Sequence, residues 1–161
     1  MTDLTSTRLI PLLYDEGLDC ASFDLYLGEG VPLTTHDLDV VPLFERLPGL
    51  RKHRCDSGKQ RCFFDEARQT ESAHLLEHLC IELLVQSGIP RSHLRGETGI
   101  PSQARQQYSR NTQNEGQICN NQGPYRLRIY GVESLPQAEK ALSQAVHILE
   151  VLAKTGYVGD V

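Results

Sequence analysis

Two histidines and a glutamate lie within one turn of a strongly helical stretch, residues 72–86. His74 and His78 are four residues apart, and Glu77 stands between them in the order His-x-x-Glu-His. Residues three and four apart share one face of a helix, so these side chains would lie together. Such an imidazole pair can chelate one zinc ion, and the carboxylate can take a proton from a water that attacks a carbonyl. The order therefore predicts an inverted zinc-hydrolase site with Glu77 as general base.

The rest of this helix is apolar, which makes its polar band informative. Leucines cover the opposite side: Leu75, Leu76, Leu79, Leu83 and Leu84. A polar band on such a helix costs free energy unless something satisfies it. Glu82 shares the band, but its Cα would lie about 12 Å along the axis from that of His74. We interpret Glu82 as supporting the ligands from behind or, alternatively, as the third ligand. The competing explanation of the motif is chance: two histidines four residues apart on a core helix can arise without a metal site and be satisfied by local hydrogen bonds.

The elements that must position this helix are indicated by periodicity along the chain. Alternating or apolar runs predict strands at residues 8–14, 22–27, 61–67 and 125–132. Helical spacing predicts two more helices, at residues 37–47 and 136–154. Residues 91–123 are rich in Arg, Gln, Asn, Ser and Gly, which predicts a long polar loop or hairpin. The expected fold class is α+β: a small mixed or antiparallel sheet against two or three helices, in one lobe or two of a single domain spanning residues 1–161.

Composition sets the broad class of the protein. A hydrophobic content of 39% and a charged content of 23% are typical of a globular domain. The formal net charge of −5 gives no general support for nucleic-acid binding. There is no signal-peptide pattern and no apolar run of about 18 residues, so we expect a cytoplasmic protein without a membrane span. The five cysteines form no Cys-x-x-Cys pair, which argues against a disulfide framework or a zinc ribbon.

A basic stretch before the central helix contains His53 and Cys55. They could form a second metal-binding pair, but a loop histidine and a lone cysteine are more often structural, and we interpret them so. The neighbouring lysines and arginines could meet acidic groups on a polymer or partner, although a solvated loop is the commoner explanation.

Several of these segments together resemble the N-terminal domain of cyanophycin synthetase. The similarity covers about residues 20–155, nearly the whole chain. It rests on Leu50-Arg-Lys-His53-Arg-Cys55, on Ala73-His74-Leu-Leu-Glu77-His78-Leu-Cys-Ile-Glu82-Leu with Gly88, and on Gly123-Pro-Tyr125-Arg-Leu-Arg-Ile with Glu133. That domain handles cyanophycin, a polymer with a poly-aspartate backbone and an arginine on each side-chain carboxylate. In a subset of the family it carries a His-x-x-Glu-His zinc site that cuts the polymer internally.

The resemblance implies a Zn²⁺ cofactor held by His74 and His78, with Glu77 as the base. A third protein ligand is needed, and Glu133, which matches an acidic position of the family, is the first choice. The ATP-dependent domains of the synthetase have no counterpart in these 161 residues, so we expect no polymerisation by this chain alone.

Two hypotheses about function follow. The first is a zinc-dependent amide hydrolase acting on cyanophycin or a related Asp/Arg polymer. The alternative is a non-catalytic module that binds the polymer or serves as a partner of a separate cyanophycin synthetase. In either case Arg126 and Arg128, on the half-exposed strand at residues 125–132, are the expected substrate contacts. The oligomeric state is left open by the sequence.

Overall fold

A four-stranded antiparallel sheet covered on one face by two long helices forms the body of the protein. The computed structural model describes residues 6–55, 61–99 and 124–156. The strands are β1 (Arg8–Asp15), β2 (Cys20–Tyr26), β3 (Arg54–Cys55), β4 (Arg61–Cys62), β5 (Arg95–Gly99) and β6 (Tyr125–Tyr130). The helices are α1 (Val41–Arg46), α2 (Phe63–Glu66), α3 (Ser72–Gln86) and α4 (Leu135–Thr155), with 3₁₀ turns at Thr35–Asp37, Pro48–Lys52 and Arg91–His93.

The strand order of the sheet is β1-β2-β6-β5, and β3 pairs with β4 in a separate small hairpin. Alternation along β6 decides which side chains face the helices. Leu127 and Ile129 point inward and are fully buried, and they lie opposite Phe23 and Ala21 of β2. Arg128 points to the outer face and is exposed. The sheet thus has one apolar face and one charged face, as the period of two predicts.

Both long helices pack on the apolar face. The helix α3 contacts β5 and β6, α4 contacts β1 and β2, and the two helices pack against each other. Ser134 caps the start of α4 by accepting a hydrogen bond from the Gln137 backbone N–H. Gly156 ends it in the left-handed region, at φ +66°. No helix among the described residues is long and apolar enough to cross a membrane.

The α+β class and the antiparallel sheet are confirmed, whereas some element boundaries differ from the prediction. Only Arg61–Cys62 of the strand predicted at 61–67 is extended, and α2 follows it directly. The predicted polar loop or hairpin at 91–123 begins with a 3₁₀ turn and then β5, which pairs with β6. Its polar residues form a strand because pairing partners come from elsewhere in the chain. Residues 100–123 of that stretch lie outside the described residues.

Candidate metal centre

Three potential ligands converge at the first turns of α3. The Nε2 atoms of His74 and His78 lie 3.1 Å apart. The sulfur of Cys55 lies 3.7 Å from Nε2 of His78 and 3.9 Å from Nε2 of His74. Around a tetrahedral zinc ion, bond lengths of 2.0–2.3 Å place two nitrogens about 3.3 Å apart and a nitrogen and a sulfur about 3.6 Å apart. The three atoms thus fit one face of a zinc coordination tetrahedron.

The small hairpin and the turn before it bring the sulfur to the helix. Cys55 is buried in β3. The Phe63 backbone N–H, directly after β4, donates to the carbonyl of His53, directly before β3, and so joins the two ends of the hairpin. The ring of Phe63 stacks on the imidazole of His78, with centroids 3.7 Å apart and planes inclined by 14°. Phe63 is fully buried, so its ring holds the His78 imidazole in one orientation.

The far side of each imidazole is also hydrogen-bonded. The hydroxyl oxygen of Thr70 lies 2.8 Å from Nδ1 of His74. Nδ1 of His78 lies 2.9 Å from Nδ1 of His53, and the other nitrogen of His53 lies 2.9 Å from a carboxylate oxygen of Glu82. Partners of this kind fix the ring orientation of metal-binding histidines and so leave Nε2 of each ring directed at the sulfur.

Glu82 is buried between two elements. The backbone approaches it closely at Gly49, where any side chain would collide with the carboxylate. A guanidinium nitrogen of Arg91 lies 3.0 Å from the carboxylate oxygen that His53 also contacts, forming an ion pair without a directed hydrogen bond. Glu82 is therefore linked to the three candidate ligands through His53, which contacts His78.

Glu77 is buried beside His78 and faces β5. The Thr98 hydroxyl donates a hydrogen bond to its carboxylate, and Gly96 leaves room for its side chain. Burial raises the pKa of the Glu77 carboxyl to about 7, although the Thr98 hydrogen bond opposes this. A carboxylate with a pKa near neutrality is suited to accept and return a proton.

The three ligand side chains are uncharged in the absence of a metal. Burial, reinforced by the two neighbouring imidazoles, lowers the pKa of His78 to about 2. Burial also lowers the pKa of His74 and raises that of the Cys55 thiol to about 11. A buried thiol and two neutral imidazoles form a donor set that suits zinc once the thiol loses its proton and His74 carries its proton on Nδ1.

A cavity of about 520 Å³ opens onto these groups. The candidate ligands Cys55, His74 and His78 line it together with Glu77 and the β5 segment. Its remaining lining is strongly charged, with four basic and two acidic residues: Lys52, Arg54, Arg91, Arg95, Glu71 and Glu97. A ligand carrying both carboxylates and cationic groups would find partners of opposite charge there.

The structure brings the three residues of the sequence motif together, but it places Glu133 elsewhere. Glu133, the first choice as third ligand, is exposed and lines a separate cavity with Tyr14 and Asp19. The cause is local: Gly131 turns the chain at φ +90° against the His93 carbonyl directly after β6. The position beside the two histidines is taken by Cys55.

Arg126 and Arg128 lie on the outer face of the sheet. Arg126 donates a hydrogen bond to Asp24 of the neighbouring strand, at 2.7 Å. Arg128 lies 3.9 Å from the Glu97 carboxylate, at the edge of the cavity. Their contact with a substrate stays a prediction.

Cys55 and His53, which we interpreted as structural, were not expected beside the motif, yet both lie next to His78. Both precede the motif by about 20 residues, and no helical or strand period links them to it. The signal that could have found them is chemical. Two imidazoles on a helix leave a zinc site one protein ligand short, and a cysteine is a good zinc ligand.

Comparison with protein families matches residues 34–154 to the cyanophycin synthase-like N-terminal domain. The matched range contains α3, the β3–β4 hairpin, β5, β6 and nearly all of α4. A search of curated proteins finds no match to this chain.

Proposed function

Because this chain belongs to the family of cyanophycin synthase-like N-terminal domains, we propose that it is a zinc-dependent amide hydrolase that cuts cyanophycin or a related Asp/Arg polymer internally. One observation carries the proposal: Cys55, His74 and His78 present three donor atoms in a cavity that also contains the buried carboxyl of Glu77. Three protein ligands plus an open position are typical of catalytic zinc sites, whereas structural sites are closed by four.

The residues that would hold the ion are Cys55, His74 and His78. A zinc ion bound there would supply a Lewis acid that polarises the substrate carbonyl and lowers the pKa of water. Glu77 accepts a proton from the water that attacks the carbonyl and returns it to the departing amine as the C–N bond breaks. Thr98 holds the carboxylate in place by its hydrogen bond, and burial keeps its pKa near 7.

The charged lining of the cavity supports the substrate class. Cyanophycin carries a carboxylate and a guanidinium on each arginine that branches from its backbone. Exposed basic side chains such as Lys52 and Arg54 match the carboxylates, and the exposed Glu71 and Glu97 match the guanidinium groups.

The experiment combines metal analysis with hydrolysis. We expect the purified protein to contain zinc and to cleave cyanophycin, and a chelator to abolish the cleavage. Glu77→Gln should retain zinc and lose turnover by at least about 100-fold, the scale of general-base catalysis. Glu133→Gln is the matched control and should retain both zinc and turnover. A zinc-loaded protein that cleaves neither the polymer nor Asp/Arg peptides would refute the hydrolase.

A second candidate is the non-catalytic module that binds the polymer or partners a synthetase. The outer face of the sheet favours it, because Arg126 pairs there with Asp24 and Arg128 lies near Glu97, apart from the candidate metal ligands. In this case the double substitution Arg126→Ala with Arg128→Ala should reduce the fraction of protein that co-sediments with insoluble cyanophycin. Glu77→Gln should leave that fraction unchanged. Zinc-dependent cleavage would decide for the first candidate.

A further inference from the structure

His53 is a buried histidine that the hydrolase proposal does not use. It is 6% exposed, and both ring nitrogens have partners 2.9 Å away. One partner is His78, whose other nitrogen faces the candidate ligands, and the second is Glu82. His53 therefore lies in a continuous line between a buried carboxylate and a candidate metal ligand.

The chemistry of these partners assigns the protons along the line. A carboxylate only accepts hydrogen bonds, so the nitrogen of His53 beside Glu82 carries a proton. Arg91 already neutralises that carboxylate, which leaves the buried His53 ring uncharged, with its other nitrogen as an acceptor. Nδ1 of His78 must then be the donor across the 2.9 Å contact. Its Nε2 keeps a free electron pair.

Hydrogen-bond donation runs in the same direction on the other side of His78. Nε2 of His74 lies 3.1 Å from Nε2 of His78, so in the metal-free protein His74 donates its proton there. The Thr70 hydroxyl, 2.8 Å from Nδ1 of His74, then donates to that atom. Every contact from Thr70 to Glu82 thus has one donor and one acceptor, with the carboxylate as the final acceptor.

We propose that His53 is a positioning residue: it holds the proton of His78 on Nδ1 and thereby keeps Nε2 ready to bind a soft divalent cation, for which zinc is the natural choice. The inference rests on the metal site of the proposed function and adds a residue that acts through His78. Hydrogen-bonding partners behind a metal-binding histidine typically change metal affinity 10–100-fold when they are removed.

The test compares three substitutions by zinc affinity, measured in competition with a chromophoric chelator. His53→Phe keeps an aromatic ring but removes both nitrogens, and we expect zinc affinity to fall about 10–100-fold. His53→Gln offers an acceptor and a donor side by side and should recover most of the loss. His147→Phe is the matched control on an exposed position of α4 and should bind zinc like the wild type.

A second measurement uses the metal-free wild-type protein, so it does not depend on whether the variants fold. In the metal-free wild-type protein, ¹⁵N chemical shifts of the imidazole nitrogens should show the proton of His78 on Nδ1. A proton on Nε2 would overturn the proposal, as would wild-type zinc affinity in His53→Phe or equal losses in the Phe and Gln variants. A wild type that takes up zinc but cuts no polymer refutes only the hydrolase, whereas one that takes up no zinc refutes both.

Discussion

Gly96→Ala should disable the proposed base without touching a metal ligand. A Cβ atom built at Gly96 would lie 2.5 Å from Oε1 of Glu77, and its three nearest atoms all belong to that side chain. Ordinary contacts begin near 3.5 Å, so the carboxylate must move by about 1 Å. A displacement of about 1 Å in a reacting group can cost about 100-fold in rate. Overpacking of this kind also destabilises the fold by about 1–3 kcal/mol.

The assay measures cleavage of cyanophycin and zinc content on the same protein preparation. We expect kcat to fall about 100-fold while one zinc per chain is retained. Gly99→Ala is the matched control, because it lies in the same strand and its Cβ would meet no atom of the described residues within 4 Å. Wild-type turnover in Gly96→Ala would refute the placement of Glu77 as the base. Loss of zinc in this variant would show that β5 supports the ligands rather than the carboxylate.

Three further predictions concern stability and the metal. Gly49→Ala should lower the free energy of unfolding in urea by about 1–3 kcal/mol, because its Cβ would lie 2.6 Å from Cδ of the buried Glu82. Phe63→Ala should cost about 3–5 kcal/mol in the same measurement and weaken zinc binding, because the ring is fully buried and stacks on His78. Removing zinc with a chelator should lower the melting temperature in calorimetry, since a ligand at 100 times its Kd contributes about 2.7 kcal/mol.

Each of these predictions has a matched control. Gly30→Ala introduces a Cβ that meets nothing within 4 Å in the part of the chain that the structure describes, and it should leave stability unchanged. Phe64→Ala removes a partly buried ring that lies against Phe44 instead of His78, so it should leave zinc affinity unchanged. Magnesium should not restore the melting temperature, because it prefers oxygen ligands. Equal effects in a variant and its control would contradict the argument for that variant. A melting temperature that does not change when zinc is removed would contradict the prediction on the metal.

The motif on α3 was predictable because its geometry is local. A helix rises 1.5 Å per residue and turns every 3.6 residues, so residues spaced by three and four must share a face. The same rise predicted that the Cα of Glu82 lies about 12 Å along the axis from that of His74. The alternation of β6 likewise predicted that Leu127 and Ile129 point inward and Arg128 outward. These conclusions needed no knowledge of which segments pair.

The approach of Cys55 and His53 to the two histidines was decided only by tertiary structure. Cys55 lies 19 residues before His74, and His53 lies 25 residues before His78. A hairpin, a 3₁₀ turn and the ring of Phe63 bring them to the helix, and none of these leaves a period in the sequence. Glu133 shows the converse: it matches an acidic position of the family, but it lines a separate cavity. Local periodicity determines which face a side chain occupies, whereas packing between distant segments determines what that face meets.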